Sequence, residues 1–453
     1  MLQSLRFTHF KSWPKIDLPC GRITGLFGTN SSGKTSILQF LLLLKQTKEA
    51  TDRKLSLELN GDYVQLGTIR DAIHRHDESL SIETEVVFAR DEPLALTDPA
   101  LGYGAAPLAE GREFALESRL AVQQQAARAT RLAYRLGGHE FALRQRSKGG
   151  EFDLHHAAEA SDFRFIRTQG RAWGLPPPIK GYAFPDQART YYQNAQFLSD
   201  LEAAYEGAID RIFYLGPLRE YPKRDYLWAR SRPADVGQRG EKAIDAILAA
   251  TADGEKLNLK PKAHLLPFQR MVAHWLRDLG LIHSFRVEEI ADGSNRWQAK
   301  VMTHEGGSEV LLTDVGFGVS QVLPVITLLL YVPEGSTVLL EQPEIHLHPL
   351  AQAGLADVLI YAATRRRVQV ILESHSEHLL LRLQRRIAEE AIGGAEVKLY
   401  FFDIAAGRSK LTPLRLDLLG NIENWPEHFM GDAFGETAQA ERARLRRMQD
   451  AAE

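Results

Sequence analysis

The run Gly28-Thr-Asn-Ser-Ser-Gly33-Lys34-Thr35 constrains this chain more than any other eight residues. It fits the phosphate-binding pattern G-x-x-x-x-G-K-[ST], and its flanks have the required character. Residues 23–27 are apolar and read as a strand, and the Leu-rich residues 36–45 read as a helix. Such a turn aims successive backbone N–H groups and the positive end of the helix dipole into one concavity, which suits a triphosphate. Gly28, Asn30, Ser31, Ser32, Gly33 and Ser36 are the expected lining of that concavity. Lys34 is expected to reach the β- and γ-phosphates, and the Thr35 hydroxyl to ligate Mg²⁺. The motif predicts nucleotide binding.

Composition limits the setting. The 453 residues allow up to three units of about 150 residues each. The longest apolar runs, residues 40–44 and 325–332, are far below membrane-spanning length, so no membrane partner is expected. The first residues lack the layout of a signal peptide, and the single cysteine, Cys20, cannot form an internal disulfide. Both features point to a cytoplasmic protein. A formal net charge of −3 gives no whole-chain attraction to nucleic acid. A local basic face is conceivable at Arg365, Arg366, Arg367, Arg382, Arg385 and Arg386, although residues at that spacing are more often a solvated helix face.

Residues 80–88 alternate apolar and polar side chains, as a half-buried strand does. From 91 to 210 the pattern loosens into Ala-rich and Pro-containing stretches with short strand candidates such as 141–144, and 186–212 reads as a helix. This block reads as an insertion into the nucleotide-binding core. Residues 296–303 and 309–313 read as a β-hairpin followed by a helix over 320–331. The apolar strands 337–340, 368–372 and 397–402 alternate with helices, which predicts a largely parallel α/β core.

A phosphate loop needs partners for metal and water. Val338-Leu-Leu-Glu341-Gln342-Pro343-Glu344 is an apolar strand ending in acidic residues, where a carboxylate can hold Mg²⁺ directly or through water. A second apolar strand ends at Glu373-Ser-His375, and a histidine there can sense the γ-phosphate or orient water. Between hairpin and strand, Asp314-Val-Gly316-Phe-Gly318-Val-Ser320-Gln321 is a glycine-containing turn before a helix and a candidate second anion nest. His346 and His348 with His375 and His378 would permit a four-histidine metal site, but both pairs lie inside the nucleotide motifs.

Together with the opening Leu5-Arg-Phe-Thr-His-Phe-Lys-Ser-Trp13, these motifs resemble ABC-type AAA-family ATPases related to RecF, SMC heads and the overcoming-lysogenization-defect group. The resemblance covers residues 1–90 and 210–435, and the tail from Gly420 to Phe429 is similar to a bacterial C-terminal segment of unassigned function. It implies an α/β fold: a P-loop NTPase head of ABC type with an antiparallel β subdomain and an inserted α+β lobe. The implied division is 1–90 and 211–403 for the two parts of the head, 91–210 for the lobe, and 404–453 for the tail. It also implies ATP and Mg²⁺ as cofactors, with Thr35, Glu341 and a Q-loop Gln65 at the metal. Glu341, Gln342, Glu344 and His375 are the implied catalytic group, and Gly316, Gly318 and Ser320 the signature presented to a partner head. The signature departs from Leu-Ser-Gly-Gly, which leaves Gly316 and Ser320 as alternatives for the γ-phosphate contact.

The implied partners are a second copy of the chain and a separate effector, a nuclease or other toxin, as in Septu- or PARIS-like anti-phage systems. A RecF-like DNA-binding repair protein and a nucleotide-locked scaffold are the alternatives. Fast members of the family carry an acidic pair where this chain has Glu341-Gln342, so slow hydrolysis is expected.

Overall fold

The computed structural model describes residues 1–99, 106–146, 150–159, 161–170, 173–405, 408–426 and 439–444. Its centre is a six-stranded sheet in the order Arg408–Leu414, Val397–Ala405, Ile23–Gly28, Gln369–Glu373, Thr337–Glu341, Ile212–Leu215. Every neighbouring pair is parallel except the edge strand Arg408–Leu414, which runs antiparallel to Val397–Ala405. The inner strands Ile23–Gly28, Gln369–Glu373 and Thr337–Glu341 are largely apolar because both their faces are covered, whereas the edge strand Arg408–Leu414 is mostly polar. Successive residues enter different cores: Ile23, Phe27, Val338, Leu340, Val370 and Leu372 pack into one, and Leu26, Leu339 and Ile371 into the other.

The first core is closed by the helices Ala243–Ala252, Phe268–Asp278, Phe317–Tyr331, Pro349–Arg365 and Glu377–Ala388. The second is closed by the helices Lys34–Glu49 and Leu198–Asp210 and by a seven-stranded antiparallel sheet. That sheet runs Trp13–Pro19, Leu2–Phe10, Ser81–Leu96, Ala109–Gln123, Ala126–Leu136, His139–Gln145, Phe152–Ala157. Phe40 of the helix Lys34–Glu49 stacks on Phe7 at 4.5 Å and meets Phe10 edge-on at 5.0 Å, which ties the loop-bearing helix to the antiparallel sheet. The expected parallel core and antiparallel β subdomain are both present. A small antiparallel sheet joins Ser284–Glu289, Arg296–Met302 and Val310–Leu311, the last two forming the expected hairpin.

One sequence expectation changes and another gains detail. The stretch expected as an inserted lobe contributes four strands to the same sheet as Leu2–Phe10, tied by cross-strand pairs such as Arg131 with Glu117 and Glu140. The single helix expected over 186–212 is two helices, Asp186–Tyr191 and Leu198–Asp210, followed by the strand Ile212–Leu215. The break falls where Asn194 turns its side chain inward to bond the backbone of Arg164 and Ile166. Of the tail stretch from Gly420 to Phe429, residues up to 426 are described and the remainder lies outside the described residues. Among the described residues no helix is long and apolar enough to cross a membrane.

Candidate functional site

The phosphate loop leaves the C-terminal end of the central strand Ile23–Gly28 and enters the helix Lys34–Glu49. Its glycines are required by space as well as by φ. Gly28 has φ 137°, and a Cβ there would lie 2.0 Å from the Phe402 carbonyl oxygen. Gly33 has φ 94°, and a Cβ would lie 2.7 Å from both Ser12 Oγ and Trp13 Nε1. Trp13 Nε1 donates to the Gly33 carbonyl at 3.0 Å, so the antiparallel sheet braces the loop directly. Asn30 and Ser31 are exposed at the loop tip, while Ser32 is buried and donates to the Thr29 carbonyl at 2.7 Å. Ser36 is buried in the first helical turn.

Lys34 is buried, and its Nζ donates to the carbonyls of Thr29 at 2.7 Å and Gly28 at 3.2 Å. The same ammonium lies 3.7 Å from a Glu373 carboxylate oxygen. Burial holds the Lys34 pKa below its ordinary value, opposed by Glu373. The Thr35 hydroxyl donates to the other Glu373 oxygen, Oε2, at 2.7 Å. Glu373 ends the strand Gln369–Glu373, which lies between the loop strand and the strand Thr337–Glu341. Sequence reading passed over Glu373 as a site residue. A carboxylate directly after the apolar run 370–372 was the available signal.

Glu341 sits in register beside Glu373, one strand further from the loop. Its Oε1 accepts the Tyr214 hydroxyl at 2.9 Å, and Arg219 Nη2 lies 3.4 Å from its main-chain oxygen. Burial raises the Glu341 pKa to about 7; the Tyr214 hydrogen bond works against this, and the Glu373 charge adds to it. Arg219 is itself buried, and its Nε and Nη1 have no partner among the described residues. Tyr214 and Arg219 were also not anticipated, since they lie over 120 residues from Glu341 in the chain.

Gln342 has φ 44°, a left-handed backbone that costs a residue with a side chain about 1–2 kcal/mol. Its N–H donates to the Glu373 carbonyl at 2.8 Å, while its side-chain amide makes no hydrogen bond among the described residues. Glu344 is buried: its Oε1 accepts the Ser374 hydroxyl and the His375 N–H, each at 2.8 Å, while its Oε2 has no partner among the described residues. It thus fixes the turn carrying His375. His375 is exposed, and desolvation and the Lys34 charge push its pKa down, so its ring is neutral near pH 7. The oxygens of Thr35 and Glu373, with Glu341 beside them, are hard donors of the kind Mg²⁺ takes, and the glycine cradle leaves room for phosphate. The residues present fit the cofactor pair.

Other expected residues are placed differently. Gln65 is exposed and its Nε2 donates to Gly61 at 2.7 Å within its own loop, with no hydrogen bond to the phosphate loop. Gly316 is the exposed N-cap of the helix Phe317–Tyr331 and has open space where a Cβ would sit. Ser320 is buried and its hydroxyl bonds back to Phe317, so of the two alternatives Gly316 is the outward one. Gly318 packs near the His346 carbonyl and Leu347. His348 caps the helix Pro349–Arg365, and no group of three or more metal-ligating side chains occurs among the described residues. The basic clusters are largely neutralised: Arg382 and Arg386 share Asp357, Arg385 and Arg386 share Glu389, and Arg367 pairs with Asp91.

Residues 23–382 match the family described as "AAA domain, putative AbiEii toxin, Type IV TA system". Residues 394–439 match a second family, described as a protein of unknown function (DUF3696). No curated protein matches the chain in sequence. Among solved structures, the chain is similar to an Smc head bound to the C-winged helix domain of ScpA, at 12% identity and TM-score 0.45, over 92% of this chain and 98% of that one. It is also similar to the SMC head domain from Thermotoga maritima, at 11% identity and TM-score 0.41, over 91% and 99%.

Proposed function

The chain belongs to the AAA-domain family whose model spans residues 23–382, and from that premise we propose that it is a slow ATP-driven switch. Membership makes it an ATPase. The observation that carries the rest is the pairing of a complete phosphate loop with a strand end that reads Glu341-Gln342. Loop N–H groups and the helix dipole hold the phosphates, and Lys34 swings from its own loop carbonyls to the terminal phosphates. Thr35 and Glu341 would hold Mg²⁺, which would neutralise charge on the phosphate oxygens. Gln342 stands where a second carboxylate would polarise the attacking water, and an amide cannot take its proton. Glu344 spends its Oε1 on Ser374 and His375, so its unpartnered Oε2 and the neutral His375 ring are the acceptors left, and neither stands at the Gln342 position. ATP therefore persists in the site.

A persistent ATP complex suits a clamp of two heads. Exposed Gly316 and its neighbour Phe317, which meets Tyr221 edge-on at 5.6 Å, are suited to complete the site of a second copy. The closed pair then signals to a separate effector, and exposed Leu418, Leu419 and Trp425 in the tail offer a surface for it. The family description, with its putative toxin and Type IV TA system, supports a pairing with a toxin-type effector, and anti-phage defence is the setting we propose for it. A RecF-like DNA-binding role is the weaker reading, because the basic clusters spend their charge on neighbouring carboxylates.

Purified protein is expected to bind ATP and to turn it over with kcat below about 1 s⁻¹, the low end for enzymes. Gln342→Glu is expected to accelerate single-turnover hydrolysis about a hundredfold, the lower end of general base catalysis. Fast wild-type turnover, or an unchanged rate in the variant, would sink the proposal.

A further inference from the structure

The carboxylate in contact with the phosphate loop is Glu373, not Glu341. Its Oε2 accepts the Thr35 hydroxyl at 2.7 Å, and its Oε1 lies 3.7 Å from Lys34 Nζ. These are the two side chains that a metal–nucleotide complex must engage. The strand order explains the contact. Glu373 pairs in register with Leu26 of the loop strand, whereas Glu341 pairs with Glu373 and stands one strand spacing, about 4.8 Å, further out. Glu341 is also held back: one of its oxygens is taken by Tyr214.

We propose that Glu373 joins Thr35 and Glu341 in holding the divalent cation of the bound nucleotide, so that the cation site draws on two neighbouring strand ends and the first turn of the loop helix. The inference rests on the reading of the loop as a nucleotide site. Adjacent oxygens in an octahedral Mg²⁺ shell of radius 2.0–2.1 Å are about 2.9 Å apart, close to the Thr35–Glu373 spacing. Glu373 engages the ion directly or through one of its waters. Charge argues the same way. Glu341 and Glu373 are both buried, and Lys34 is the cation that faces Glu373. Once Lys34 turns to the phosphates, Glu373 loses that partner. A buried carboxylate left without a counter-charge is strongly disfavoured, and a divalent cation arriving with the nucleotide supplies one. Glu373 so becomes the residue that makes nucleotide binding depend on metal. It also places a second carboxylate at the cation in a chain whose Glu341 is followed by glutamine.

The test uses the full chain with Mn²⁺ as the probe. Free Mn²⁺ is followed by electron paramagnetic resonance in the presence of a saturating non-hydrolysable ATP analogue, and analogue binding without metal is measured in parallel. Glu373→Gln is expected to weaken Mn²⁺ binding by ten- to a hundredfold, while metal-free analogue binding stays equal or tightens because Lys34 and Thr35 are released. Glu373→Asp, which keeps the charge, should recover part of the Mn²⁺ affinity. Mn²⁺ affinity within twofold of wild type in Glu373→Gln would overturn the proposal and leave Glu373 as a latch on the empty loop. Loss of metal-free binding in parallel with Mn²⁺ binding would also overturn it. Failure of the wild-type chain to bind the analogue under any condition would instead remove the nucleotide reading itself.

Discussion

Glu341 is a carboxylate whose surroundings favour its proton. Its pKa stands near 7 against an ordinary 4.5, chiefly because it is buried. A folded-state value raised in this way stabilises the fold below the unfolded-state value, and the benefit is lost as pH rises through the folded-state value. Between pH 4.5 and about 7 the folded chain holds a proton that the unfolded chain has released, so stability falls by up to about 1.4 kcal/mol per pH unit from this group. The Glu341→Gln variant lacks that slope. Its melting temperature minus that of wild type, both without nucleotide or metal, should grow from about pH 5 to pH 7 and then level. A difference that stays constant with pH would show that Glu341 is charged throughout. Residue types at the site were legible from the motifs. Their working partners were not: Tyr214, Arg219 and Glu373 reach their targets across strand neighbours, and strand order is not written in local sequence.

The helix Lys34–Glu49 does two jobs at the scale of an element. Its first turn presents the loop's N–H groups, and its body is buried between the parallel sheet and the antiparallel one. Phe40 is fully buried where Phe7 and Phe10 meet it. Truncating such an aromatic costs about 3–5 kcal/mol, so Phe40→Ala should lower the denaturant midpoint by a corresponding amount in equilibrium unfolding. A loss below about 1 kcal/mol would mean that the two layers are not coupled through this helix. The helix was legible because its Leu-rich run follows a glycine turn, and the central strands because they are short and predominantly apolar. The antiparallel strands were harder to read. Their exposed face is laced with Arg–Glu pairs such as Arg135 with Glu117, and the long strand Ser81–Leu96 breaks register after Ala89, which blurs the period of two.

The whole molecule presents one face on which Gly316, Phe317 and Tyr221 are exposed together. If that face closes on a second copy over ATP, Phe317→Asp should abolish ATP-dependent dimerisation in light scattering and leave nucleotide binding by the monomer unchanged. Undiminished dimerisation would place the contact elsewhere. The linear chain by itself determined the chemistry on offer: a complete phosphate loop, a strand ending in Glu341-Gln342, a histidine two residues after Glu373, and a parallel α/β core to carry them. That much is local, because turn geometry and strand burial follow from residues adjacent in sequence. Tertiary structure decided which carboxylate meets the loop. By setting Gln369–Glu373 between the strands of Gly28 and Glu341, the sheet put Glu373 against Thr35 and Lys34 and held Glu341 against Tyr214. A difference of one strand position, under 5 Å, assigns the roles, and only the hydrogen-bonded order of the sheet sets it.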